Sequence, residues 1–281
     1  MKKRIIRLSI ILFLAVTASS LHALQKDVPF VPTPDYVVDE MLSLAKVGPD
    51  DTVIDLGSGD GRIVIAAAKR GARAIGIDID PERIKEANEN AKENNVQDRV
   101  KFIRQNLFDA DLKPATVLTM YLLPSVNMKL RPKILSDLQP GTRVVSHAFD
   151  LGDWQPDKSQ EQVYLWIVPA NISGKWNFES QGQKGAPSAL DLKQKFQKVS
   201  GTVSVEGKAR QIRSAELDGN NLRLTIDMGG ATAQYSFKVD GDSLQGGAQS
   251  GLVDAGSGTG SGGSLLKAQR VRGTKKSIEG K

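Results

Sequence analysis

Asp51-Thr52-Val53-Ile54-Asp55-Leu56-Gly57-Ser58-Gly59-Asp60-Gly61-Arg62 decides the fold. An apolar run ends in an acid, a glycine-rich turn follows, and apolar helical spacing begins at Ile63, Val64, Ala66, Ala67 and Ala68. This is the order of a buried strand, a tight turn and a helix, with glycines where backbone comes close to a ligand. A second apolar run, Ala72 to Ile77, ends at Asp78, whose carboxylate can take both hydroxyls of a ribose. Together they predict a site for a nucleoside-containing cofactor.

Outward from this stretch, strands and helices alternate. Upstream, Pro29 to Pro34 is extended and proline-rich, with Thr33 a candidate cap and Pro34 a candidate first residue of a helix carrying Val37, Val38, Met41 and Leu42. Downstream, Asp80 should cap a helix that starts at Pro81, and strands are expected at 100–104, 115–123 and 143–147. A helix is expected over 125–138 with Ser125 as its cap, and a last apolar segment at 163–168. Strands separated by helices predict an α/β fold with a doubly wound, mostly parallel Rossmann-like sheet over 29–170. The texture then changes. Short alternating runs (Leu190/Leu192, Val203/Val205, Leu222/Leu224/Ile226, Tyr235/Phe237/Val239) and turns such as Asp218-Gly219-Asn220 predict a small antiparallel β-meander or barrel over 174–272, with Trp176, Tyr235 and Phe237 in its core. Gly256 to Ser264 reads as a flexible loop, and 273–281 as a basic, solvated tail.

Of the net charge of +6, Lys2, Lys3, Arg4 and Arg7 carry a large part, so nothing compels a nucleic-acid partner. Those residues precede an apolar stretch, Leu8 to Ala18, and small residues Ser19 and Ser20. Residues 1–23 therefore read as a signal peptide or an uncleaved N-terminal anchor, cleavage falling after Ser20 or Ala23. Either places the protein outside the cytoplasm, periplasmic or membrane-anchored, with membrane association through the N-terminus. The chain has no cysteine and two histidines, which excludes disulfides and thiolate chemistry and argues against a metal site.

A dinucleotide site wants G-x-G-x-x-G, whereas Gly57-Ser58-Gly59-Asp60-Gly61 is G-x-G-x-G with Asp55 just before it. An acid there suits a cationic ligand end and repels a pyrophosphate, which favours S-adenosylmethionine and disfavours a nicotinamide oxidoreductase. The third strand runs into Gln105-Asn106-Leu107-Phe108, where Asn106 can meet the adenine amino group through its side-chain oxygen. The fourth ends in Tyr121-Leu122-Leu123-Pro124, without the Asn/Asp-Pro-Pro-Tyr/Phe signature typical of nucleobase and glutamine N-methyltransferases. Tyr121 and Asn127 are the candidate acceptor-side residues, Tyr121 orienting an amine through its hydroxyl. His147 is a candidate base, with a satisfied buried histidine beside Ser146 as the competing reading.

The block from Pro29 to Val168 resembles the class I S-adenosylmethionine-dependent lysine methyltransferases that act on the mitochondrial adenine nucleotide translocase and the ATP-synthase c-subunit, and their bacterial relatives. The likeness rests on Val31-Pro32-Thr33-Pro34, Asp55 to Val64, Tyr121 to Val126, Leu130-Arg131-Pro132-Lys133, Gly141 to Ser146 and Trp154-Gln155-Pro156. It implies cofactor contacts from Asp55, Gly57, Ser58, Gly59, Gly61, Asp78, Asn106 and Leu107. The acceptor it implies is an accessible lysine of a protein. Those enzymes lack a β-domain like residues 174–281. The export signal motivates a second reading: a non-catalytic exported module that keeps the fold and binds another nucleoside or a partner protein.

Overall fold

A seven-stranded sheet carries the predicted site and a closed barrel follows it. The computed structural model describes residues 30–179, 186–228, 231–248 and 265–279; the N-terminal segment 1–23 and the glycine-serine run 256–264 lie outside the described residues. The chain enters as α1 (Asp35–Leu44), then alternates β1 (Thr52–Leu56), α2 (Arg62–Lys69), β2 (Arg73–Asp78), α3 (Pro81–Glu93), β3 (Val100–Arg104), β4 (Val117–Met120), α4 (Pro124–Asp137) and β5 (Arg143–His147). The short β6 (Lys158–Gln160) and β7 (Val163–Ile167) complete the sheet in the order β3-β2-β1-β4-β5-β7-β6. All pairings are parallel up to β5, and β7 runs antiparallel to β5 and to β6. The chain reverses its direction of travel between β1 and β4, and in open α/β sheets ligands bind outside the strand carboxyl ends at such a point.

β1 and β4 read as unbroken apolar runs because both faces are covered. On one face Ile54, Leu56, Leu118 and Met120 pack with Leu130 and Ile134 of α4; on the other Val53 and Val117 pack with Val38 and Met41 of α1 and Val64 of α2. Two helix starts differ from expectation. Pro34 is itself the cap position of α1 and no side chain caps it, while Thr33 is buried and spends its carbonyl on Arg62. Leu123 holds the cap position of α4 and Pro124 its first turn, so Ser125 lies inside the helix. Asp80 does cap α3, its carboxylate accepting from Glu82 N–H at 3.1 Å.

The barrel comprises β8 (Gly174–Phe178), β9 (Pro187–Lys195), β10 (Lys198–Val205), β11 (Lys208–Asp218), β12 (Asn221–Asp227), β13 (Thr232–Asp240), β14 (Ser243–Ala248) and β15 (Leu266–Arg270). It closes through antiparallel pairing of β15 with β8 and of β8 with β9. Trp176, Phe178, Leu190, Leu224, Tyr235 and Phe237 help fill its interior, so it is a packed core. Up to residue 279 the basic tail keeps Arg272, Lys275 and Lys276 exposed while its backbone and last residues are tied to the fold. Lys276 O accepts from Asn171 and Ser173, Ile278 is buried, and Glu279 pairs with Arg131 of α4 at 3.1 Å.

Candidate active site

The cavity at the carboxyl ends of β1, β2 and β4 has a volume of about 220 Å³. The turn after β1 forms its floor. Gly57 and Ser58 N–H groups both donate to Ile77 O, at 2.8 and 3.0 Å, which keeps β1 and β2 joined beyond their ladder. Gly59 N–H donates to Asp78 Oδ2 at 2.9 Å, and Asp80 N–H to Asp78 Oδ1 at 2.9 Å. Asp78 thus locks the turn, and each of its oxygens, with one bond accepted, keeps capacity for another at the cavity that Asp78 lines. At Gly59 (φ 51°) a Cβ would sit 2.2 Å from the Phe30 ring, and at Gly61 (φ 81°), the cap position of α2, 2.7 Å from Phe102. Both positions combine left-handed backbone with close packing, which only glycine meets.

Asp55 lies beneath the cavity, 2% exposed. Its Oδ1 accepts from Thr119 Oγ1 at 2.7 Å, a contact that the parallel register of Asp55 with Thr119 creates. Burial pushes its carboxyl up to about 7, against the Thr119 hydrogen bond, and the carboxylates of Asp78 and Asp60 add to the rise. Beside it the Ser58 hydroxyl is buried with no hydrogen-bond partner among the described residues. A buried acid whose pKa is pushed up and an unsatisfied hydroxyl in one pocket fit a ligand that brings an ammonium group and further polar atoms. These residues therefore fit S-adenosylmethionine, whose amino group and sulfonium are cationic.

Asn106 and Leu107 line the same cavity. Asn106 Oδ1 accepts from Phe108 N–H at 3.0 Å and starts a 3-10 turn over Leu107–Asp109, so the oxygen expected to face adenine is already partly engaged. Tyr121, Leu122, Leu123 and Phe149 also line the cavity. Asn127 does not reach the cavity: it is wholly buried and its amide donates to Phe149 O at 3.3 Å and Asp150 O at 3.1 Å. Nor is His147 the satisfied histidine of the competing reading. Its Nδ1 is buried without a partner among the described residues, Ser146 bonds Phe149 O instead, and burial pushes the imidazole pKa down.

Sequence reading missed one wall altogether. Phe30, Val31, Pro32 and Thr33 line the cavity. They are held by Arg62, whose Nη1 donates to Thr33 O at 2.8 Å while its Nη2 pairs with Asp60 at 2.6 Å. The Arg83 guanidinium lies 4.8 Å from the centre of the Phe30 ring.

A family profile described as the ANTKMT methyltransferase domain matches residues 55–158. A protein-lysine N-methyltransferase of Saccharolobus islandicus is 46% identical over 151 residues, 50% of this chain and 94% of that protein. The ATP-synthase c-subunit lysine N-methyltransferase of Mus musculus is 28% identical over 68% of this chain and 74% of its own length. Among solved structures, an RNA methyltransferase from Salinibacter ruber, in complex with S-adenosyl-L-homocysteine, is 52% identical. It covers 54% of this chain and 100% of that chain, with a TM-score of 0.50. With the strand order, the glycine turn between two end-of-strand acids and these relatives in view, the chain is an S-adenosylmethionine-dependent methyltransferase and belongs to the family of the lysine methyltransferases it matches.

Proposed function

We propose that the enzyme methylates the side-chain amine of a protein lysine. In this reading Asp55 faces the cofactor's amino group, Asp78 the ribose hydroxyls, Asn106 and Leu107 the adenine edge, and the turn Gly57-Ser58-Gly59-Asp60-Gly61 passes beneath. Tyr121 stands on the acceptor side. The observation that carries the choice of lysine is the composition of that side: Tyr121, Leu122, Leu123 and Phe149 offer one hydroxyl in an otherwise apolar wall. A lysine amine attacks only when neutral, and its reference pKa is about 10.4. Dry, apolar surroundings disfavour the ammonium form, so the proton is shed to solvent as the side chain enters. The Tyr121 hydroxyl can then hold the amine while the apolar wall excludes water. S-adenosylmethionine, when bound, supplies the electrophilic methyl group on its sulfonium. The protein-lysine methyltransferase that shares 46% identity supports the same choice.

An RNA acceptor is the second reading, favoured by the likeness to the RNA methyltransferase of Salinibacter ruber. One experiment separates them: incubating the enzyme and methyl-labelled cofactor with extract of the source cells, then digesting with protease or with ribonuclease. Label released by protease and recovered as methyl-lysine is expected. Label released by ribonuclease instead would replace lysine with RNA.

We also propose export or membrane tethering, from the basic and apolar stretches of residues 2–18. The described chain begins at Phe30, which lines the cavity. Protease accessibility of the C-terminus in spheroplasts tests the export; full protection would place the enzyme inside.

A further inference from the structure

The strand before the acceptor wall ends in an unusual turn. Phe149 N–H donates to His147 O at 2.8 Å, and Ala148 between them sits at φ 64°. This is a γ-turn with a non-glycine residue in the left-handed region, a conformation that survives only where its surroundings over-determine it. Two wholly buried polar residues supply that determination. Ser146 Oγ donates to Phe149 O at 2.6 Å, and the Asn127 amide from α4 donates to Phe149 O and Asp150 O. Asn127 Oδ1 has no partner among the described residues, so the side chain acts only as a donor, and its amide also reaches Ser146 Oγ at 3.5 Å. A flipped amide would aim its oxygen at two carbonyl oxygens. Neither Asn127 nor Ser146 lines the cavity.

The turn has a target. It sets the His147 ring 4.1 Å from the Tyr121 ring, and the Phe149 ring 6.2 Å from it with an 18° interplanar angle. We propose that Asn127 and Ser146 are positioning residues: by gripping the carbonyls beyond β5 they hold the γ-turn, which sets the His147 and Phe149 rings beside Tyr121 and so fixes that ring at the cofactor cavity. The functional weight of this arrangement rests on Tyr121 being the acceptor-side residue; the arrangement itself does not depend on which acceptor is used.

The test is fluorine NMR on the full chain labelled with 3-fluorotyrosine, whose tyrosines are Tyr36, Tyr121, Tyr164 and Tyr235. Tyr121→Phe assigns the resonance. In Asn127→Ala and in Ser146→Ala the Tyr121 signal is expected to shift or broaden while those of Tyr36 and Tyr235 stay in place; Tyr164 faces Ser146 across the β5–β7 pair and is no control. Affinity for S-adenosylhomocysteine, titrated calorimetrically, is expected to hold within about threefold, because neither side chain touches the cavity. Methyl incorporation in the extract assay is expected to fall about tenfold to a hundredfold, the scale of a misplaced reacting group. An unmoved Tyr121 signal in either folded variant overturns the proposal. So does a collapse of all the signals together, which would mean that the pair supports the fold as a whole. Failure to find methyl-lysine leaves the fluorine result intact and so is told apart.

Discussion

At the scale of single residues, Asp55 is the acid that burial perturbs most strongly. Its carboxyl titrates at about 7 in the folded protein against an ordinary 3.8. A ligand ammonium beside it favours the carboxylate, so binding releases a proton wherever the free site is protonated. Affinity for S-adenosylhomocysteine should therefore be level above pH 8 and fall as pH drops through 7, by about tenfold between pH 8 and pH 6. Calorimetry in two buffers of different ionisation enthalpy would show the proton release. A flat profile would mean that Asp55 is ionised in the free enzyme. The stability consequence has the opposite sense from that of an ion-paired acid. Because the folded pKa is raised, the native state binds more protons than the unfolded chain between pH 3.8 and 7. Stability from this group is thus complete below the lower value and is lost as pH rises through 7, with an upper bound of about 4 kcal/mol. Asp55→Asn should remove that loss. The variant is expected to be at least as stable as wild type at pH 8 by urea unfolding, while its cofactor affinity falls at least tenfold or so. At this scale Asp55, the glycines and Asp78 were legible because strand ends and turns announce themselves locally. Thr119 was not, although a lone hydroxyl in Val117-Leu118-Thr119-Met120 is a visible anomaly, because only the pairing of β1 with β4 puts it against Asp55. The grip of Arg62 on Thr33 and the seat of Asn127 against the Phe149 and Asp150 carbonyls are likewise products of tertiary approach.

The elements that bear the site were readable for a physical reason. Strands buried on both faces carry continuous apolar runs, and their helices keep one apolar stripe. β11 escaped because Leu217 is its one fully buried residue, and Lys208, Gln211, Arg213, Ser214 and Glu216 are all exposed along it. β14 escaped because Gly246 and Gly247 leave it little side-chain pattern; a Cβ at Gly246 would lie 1.9 Å from Ser236 O on the neighbouring strand. The junction of β1 with α2 makes the element-scale prediction. Gly61 opens α2 at φ 81°, and any Cβ there meets the Phe102 ring at 2.7 Å and Ala87 Cβ at 3.0 Å. Gly61→Ala adds left-handed strain to overpacking between α2, α3 and β3. It should lower the unfolding free energy by about 2–3 kcal/mol with an unchanged urea slope. An equivalent loss should follow for cofactor affinity only if the turn, as well as the helix, is displaced. Comparing the urea midpoint with and without S-adenosylhomocysteine reads both quantities from one preparation.

For the whole molecule, the question is whether barrel and sheet are independent units or one. Phe196 answers it geometrically. It sits in the tight turn between β9 and β10 at φ 51°, yet it is 2% exposed because its ring enters the core of the sheet domain. There it stacks on Trp154 at 5.6 Å and 13°, under the Arg131 guanidinium at 5.2 Å. Arg131 in turn pairs with Asp153 at 2.6 Å and with Glu279 at 3.1 Å, and Phe196 N–H donates to Ile278 O at 2.8 Å. One aromatic ring thus ties α4, the segment after β5, the first barrel hairpin and the end of the described chain. Sequence could place a linker near 170–175 but could not show this contact, since Phe196 stands in a turn where an apolar residue ordinarily signals nothing. Removing the ring should cost about 3–5 kcal/mol and fall on the coupling between the two units. Trp154 and Trp166 report on the sheet domain and Trp176 on the barrel, so fluorescence of Trp176→Phe follows the sheet alone. In the Trp176→Phe background the fluorescence and far-ultraviolet dichroism transitions in urea are expected to coincide. Adding Phe196→Ala should pull them apart, because dichroism then averages two units that unfold separately. Coincident transitions after the substitution would show that the covalent link and the polar contacts suffice to make the molecule one cooperative body, and that Phe196 contributes stability without coupling.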